Sequence, residues 1–201
     1  SITIAKTITR SQKSKSSLDL NLNIKRTNSY STASDTLVKS DINSRKLSIA
    51  KITSTNNFYT SFGTFIIKPA YRFGLNWLGA LDDQNSNLSQ EAQYEAWLLY
   101  LYYGKSFNIA STPLSYSLSF DSQNSDDTLF SSESFSVGGE YSVRGFKKTY
   151  SQGESGFTMR NDLKTTLKHT ALAKIPIIGQ ADITIFYDYG MTKPQEQSKD
   201  Y

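Results

Sequence analysis

Leu18-Asp-Leu-Asn-Leu-Asn-Ile-Lys25 alternates apolar and polar residues without an error. A period of two puts all the apolar side chains on one face of a β-strand and all the polar ones on the other. The segment therefore suits a sheet with one oily face and one wet face, and it does not suit a helix. Leu114-Ser-Tyr-Ser-Leu-Ser-Phe120 repeats the pattern with serine at every second position. Phe157, Met159, Leu163 and Leu167 oppose Thr158, Arg160, Asp162, Lys164 and Thr166, and Ile183, Ile185, Tyr187 and Tyr189 share one side. The predicted strands are 2–9, 17–25, 44–55, 59–72, 92–103, 112–121, 157–168 and 181–190; the third, fourth and fifth alternate poorly. Short connections (10–16, 56–58, 104–111, 169–180) take turns with long polar ones (26–43, 73–91, 122–156). Long loops kept at one end of a meander are the pattern of an outer-membrane barrel. A soluble sandwich has no reason for that regularity.

A length of 201 residues fits one domain, 1–201. The net charge of +4 comes from scattered basic residues with no Lys/Arg tract, so no nucleic-acid partner is expected. The absence of cysteine leaves no disulfide framework and no thiolate metal site. No run approaches the roughly 18 apolar residues of a membrane helix. The mean hydropathy of −0.46 would ordinarily read as soluble. A transmembrane barrel escapes that test, because only alternate residues face lipid. Ser1-Ile-Thr-Ile-Ala-Lys6 lacks the features of a signal peptide. The expectation is either a cytoplasmic chain or one that begins upstream. The polar end, Met191–Tyr201, stops where a further loop should run, so the chain reads as a fragment or a truncated product.

Two motifs carry the chemistry. Ser131–Phe146 holds Gly138, Gly139 and Gly145 around one cation, Arg144, flanked by Val143 and Phe146. Phe186-Tyr-Asp-Tyr-Gly190 places Asp188 on the polar side of a strand, the side to which Asp162 also belongs. Two carboxylates facing one cavity repel, and a guanidinium between them relieves the repulsion. The pattern predicts that Arg144 latches the 122–156 loop to two strands, worth about 1–3 kcal/mol in a wet lumen. A solvated loop arginine is the plainer alternative for the tetrapeptide Val143–Phe146 alone. His169 lacks companions for a metal or catalytic site, and Gly104-Lys-Ser106 lacks the spacing of a phosphate loop. Trp77, Trp97 and the tyrosines of 94–103 suit either an interfacial belt or ordinary packing.

Phe135-Ser-Val-Gly-Gly-Glu-Tyr-Ser-Val-Arg-Gly-Phe146 resembles the signature loop of the TpsB transporters of two-partner (type V) secretion, which are relatives of the barrel-assembly insertase. Gly156–Leu163 is similar to that family's next strand, with Asp162 where Glu is usual. Phe186–Gly190 matches its Phe-x-Asp-x-Gly strand. Leu75-Asn-Trp-Leu-Gly-Ala80 and Glu91-Ala-Gln-Tyr94 also look like the family. The resemblance implies an all-β antiparallel transmembrane meander, here eight strands of a sixteen-stranded barrel without its periplasmic POTRA domains. By the same likeness Arg144 is the loop-tip arginine, with Asp162 and Asp188 as its wall partners. Phe186 and Gly190 would line the receiving pocket. It also implies a bacterial outer-membrane protein that exports a large unfolded exoprotein (TpsA-like, such as a haemolysin or adhesin). Outer-membrane lipid and the barrel-assembly machinery are its other expected partners. No cofactor and no enzymatic chemistry are implied. An insertase of the same superfamily and a soluble all-β module remain the alternatives.

Overall fold

The computed structural model describes residues 1–32, 39–83, 89–110, 112–139, 142–146, 149–166 and 182–194. Eight antiparallel strands follow one another in a single sheet: β1 (Ile2–Arg10), β2 (Ser14–Thr32), β3 (Lys39–Thr60), β4 (Gly63–Leu75), β5 (Glu95–Ile109), β6 (Thr112–Asn124), β9 (Ser155–Thr166) and β10 (Asp182–Lys193). Between β6 and β9 the chain inserts a small hairpin, β7 (Phe135–Gly138) with β8 (Tyr150–Gly153). The sheet is not closed, and β1 and β10 are its two edges. No helix among the described residues is long and apolar enough to cross a membrane, which says nothing about strands.

Register explains the alternation. Ile4, Leu20, Ile52, Tyr71 and Trp97 pair in a row across five strands, all on one face. That outer face is apolar yet exposed: Trp97 is 64 % and Ile185 67 % accessible. Burial in protein therefore does not account for its hydrophobicity, whereas a lipid surround does. Tyr71 lies 4.6 Å from Trp97, and Phe157 stacks beside Phe120 and Tyr189. The other face carries Asn21, Lys25, Lys51, Arg72, Asp121, Arg160, Asp162 and Asp188, and the β6–β9 connection lies against it. Tyr94 divides from the two tryptophans: it is buried on this inner side, while Trp77 and Trp97 are exposed.

Three expectations are corrected. The supposed loop 26–43 is mostly strand, since β2 runs to Thr32 and β3 starts at Lys39, paired from Arg26↔Lys46 to Thr32↔Lys39 with one register shift between Ser29 and Tyr30. The ladder continues there by backbone pairing, which needs no alternation of side chains. The turn placed at 56–58 lies instead at Ser61-Phe62. Asn56 and Asn57 pair with Ile67 and Ile66, so two turn-forming residues sit within a ladder. The connection drawn at 104–111 narrows to the turn after Ile109, since β5 runs to that residue. Residues 167–181, with His169, and 195–201 lie outside the described residues.

Candidate functional site: a loop tied to the inner wall

The β6–β9 connection, 125–154, rests on the inner face. Its hairpin lies against β9 and β10, where two glycines make room. A Cβ on Gly190 would come 2.7 Å from Val137 Cγ1, and one on Gly156 would come 2.7 Å from Phe135 Cδ1. Val137 is accordingly buried. Beyond β7 the chain turns through Gly138 and Gly139, at φ 112° and 78°. Gly138 has a second constraint, because a side chain there would strike the Thr149 carbonyl oxygen at 2.3 Å. Ser142 Oγ donates to Gly138 O, and Gly139 N donates to Phe146 O, closing the tip.

At the tip Arg144 meets both acids. Its amide N and Nε donate to Asp188 Oδ2 at 2.9 and 2.7 Å, Nη2 donates to Asp188 Oδ1 at 2.7 Å, and Nη1 donates to Asp162 Oδ1 at 2.6 Å. The guanidinium carbon lies 4.1 Å from the centroid of the Phe186 ring, a cation–π seat. Asp162 and Asp188 approach diagonally, because Phe186 pairs with Asp162 and Arg160 with Asp188. The Asp188 side chain is 3 % accessible, against 29 % for Asp162. The bonds to Asp188 raise the Arg144 pKa most; desolvation opposes this and Asp162 adds to it. Val143 is buried behind the arginine. Phe146 is 59 % exposed, and a Cβ on Gly145 (φ 154°) would meet nothing within 4 Å. Thus Arg144, Asp162, Asp188, Phe186, Gly190, Val143 and Gly138 come together, and Phe146 lines a cleft with Val143, Asp188 and Gly190 while much of its side chain stays open to solvent. The charge set has one use: holding the loop where it is. No group of three or more metal-binding side chains occurs among the described residues.

The base of the same connection is also tied down, by residues absent from the sequence reading. Glu133, buried at 2 %, receives Lys25 Nζ at 2.6 Å and the Tyr94 hydroxyl at 2.9 Å, with Arg72 Nη1 at 3.6 Å. Arg72 Nη2 and Gln123 Nε2 donate to its backbone oxygen at 2.8 and 3.0 Å. The one local hint is an acid between Phe130 and Phe135 in a serine-rich run. The partners lie 39 to 108 residues away.

An antiparallel wall that is apolar outside and polar within, with a loop tied across its inner face, is the wall of an outer-membrane β-barrel. The chain belongs to the haemolysin secretion/activation protein ShlB/FhaC/HecB family, which it matches along residues 1–201. It is 29 % identical over 148 residues to the outer membrane transporter CdiB of Dickeya dadantii, covering 73 % of this chain and 25 % of that protein. It is 34 % identical over 128 residues to CdiB of Escherichia coli strain 536, covering 62 % and 21 %. The chain thus matches about a quarter of the length of these relatives. Among solved structures, CdiB from Escherichia coli superposes with a TM-score of 0.79 at 24 % identity, over 99 % of this chain and 35 % of that chain. CdiB from Acinetobacter baumannii gives 0.72 at 21 %, over 98 % and 32 %. At those identities the two structures speak for the fold.

Proposed function

We propose that this chain forms a wall segment of a two-partner secretion transporter that carries a large unfolded exoprotein across the outer membrane. The 125–154 connection is its lumen loop, and the clasp of Arg144 with Asp188 and Asp162 sets the loop's resting position. One observation carries the reading: a single loop residue, Arg144, makes four hydrogen bonds of 2.6–2.9 Å, three of them from its guanidinium, to carboxylates on two successive strands. Charge-assisted bonds of this kind are worth about 1.5–3 kcal/mol each when buried, and less where water reaches them. Such a clasp is strong enough to hold a plug and weak enough to be undone by a passing chain. Family membership and the CdiB relatives support transport over insertion of other barrels. The exoprotein is recognised as an extended polypeptide, and no cofactor enters the account.

Charge exchange tests it. In the full-length transporter Arg144→Asp should cut secretion of the cognate exoprotein by about tenfold or more, as expected for losing upwards of about 1.4 kcal/mol. Adding Asp188→Arg should restore part of it. Wild-type secretion by the single variant would end the proposal.

A further inference from the structure

We infer that Glu133 is the standing anchor of the 125–154 loop. It is a positioning residue that keeps the base of the loop on the β2–β4–β5 wall while the Arg144 tip leaves β9 and β10 as a separate step. The inference rests on the reading of this connection as a lumen loop.

The charges run opposite to those at the tip. Here the loop supplies the acid and the wall supplies the cations, Lys25 from β2 and Arg72 from β4, with the Tyr94 hydroxyl as a third donor. The wall also grips the backbone: Arg72 and Gln123 both donate to Glu133 O, and Gln123 Nε2 reaches Glu154 O at 3.0 Å, tying the two ends of the connection together. A carboxylate this buried needs its charge and its lone pairs satisfied, and Lys25, Arg72 and Tyr94 do so from two strands and a connection. The anchor is dry as well as ionic. Phe130 packs with Leu47, Ile49 and Ala92, and Leu129 packs with Tyr94 and Ala96. The guanidinium of Arg45 covers the Phe130 ring at 4.6 Å. At the tip no comparable cluster of buried residues backs Arg144 among the described residues, and its cation and one of its acids are 24 % and 29 % exposed. Withdrawing the base strips two large apolar side chains and a buried acid from their partners. Withdrawing the tip breaks one ionic knot and uncovers only the smaller Val143 and Val137. The tip therefore lets go first, and the base defines the pivot.

This segment has no cysteine, so engineered thiols report on it cleanly. In the full-length transporter on intact cells, with any other cysteines replaced, Ser134→Cys reports on the base and Val143→Cys on the tip, through labelling by a membrane-impermeant maleimide. We expect Glu133→Gln to speed labelling at position 134 by about tenfold while leaving position 143 within about twofold. Arg144→Ala should do the reverse. Glu133→Asp keeps attraction to Lys25 and Arg72, so it should label more slowly than Glu133→Gln; a residue that only filled space would give the opposite order. Heat-modifiable migration confirms a folded barrel, and if Glu133→Gln does not assemble, Lys25→Met provides the milder lesion with the same pattern. An unchanged rate at position 134, or equal acceleration of both reporters by either lesion, overturns the inference. Labelling does not require export, so a transporter that fails to secrete still reports on the anchor.

Discussion

At its tip the loop brings a cation to a wall of acids; at its base it brings an acid to a wall of cations. The tip contact is narrow, with three bonds from one guanidinium and one from its own backbone amide, beside an aromatic ring. The base contact is broad, with donors from β2, β4, β6 and the β4–β5 connection, backed by Leu129 and Phe130. Burying those two large apolar side chains contributes roughly 3–6 kcal/mol, whereas the tip and its hairpin bury only the smaller Val143 and Val137. Opposite polarity has a second effect: Glu133 cannot compete for the Arg144 acids, nor Arg144 for the base cations, so the loop has one electrostatic register. The contrast is between a catch and a hinge, built from the same bond type but with different access to water.

The largest break in that contrast should come at Asp188. It accepts three of the four Arg144 bonds and is nearly inaccessible, whereas Asp162 accepts one and is open to water. Asp188→Asn should weaken the tip by about 3 kcal/mol and Asp162→Asn by about 0.5–1 kcal/mol. Labelling at Val143→Cys checks this. Equal effects would mean that the two acids share the load and that burial does not rank them. A smaller break tests fit without touching charge. Gly190→Ala places a methyl 2.7 Å from Val137 Cγ1 and 3.1 Å from Phe157 O. Overpacking of this kind costs about 1–2 kcal/mol, and it should lift the hairpin at the tip while the base reporter at position 134 stays protected.

The tip was open to sequence reading because strand parity is a local property. Once 157–168 and 181–190 alternate, Asp162 and Asp188 must face the same way, and adjacent strands bring them close. The base was not open to it in that way. Lys25 and Arg160 fall on the polar side of well-alternating strands, whereas Arg72 and Lys51 lie on strands that alternate poorly, and nothing local says which inward cation a loop acid will find. Glu133 sits in Ser131-Ser-Glu-Ser134, a run that by composition belongs in water. Its burial follows from the apolar anchors Leu129 and Phe130, whose partners Leu47, Ile49, Ala92 and Tyr94 lie far off in the chain. Ends of elements failed for a related reason. In the far half of β2 and the start of β3 the sequence is polar at nearly every position, so the period-two signal vanishes although the backbone ladder continues.

The smallest effect expected is a pH response on the base side alone. Glu91, half-buried in the β4–β5 connection, donates its amide N–H to Thr128 O and so braces the start of the loop. Burial, then the charges of Asp127 and Asp83, hold its carboxyl above the usual range. An acid with a raised folded pKa contributes stability that is fully present below its unfolded pKa and is lost as pH rises through the folded value. Mild acidification from neutrality should therefore tighten the brace, and Glu91→Gln should give most of that tightening at neutral pH and abolish its pH dependence. Because Glu91 is partly solvated, the change should be slight, about twofold in labelling at Ser134→Cys. The tip serves as the control, because Glu91 braces the start of the loop through Thr128 and does not touch the tip. Comparing the two reporters as pH falls from neutrality should show the base slowing while the tip holds steady. Parallel curves would mean that the loop titrates as one body and that hinge and catch are not separate.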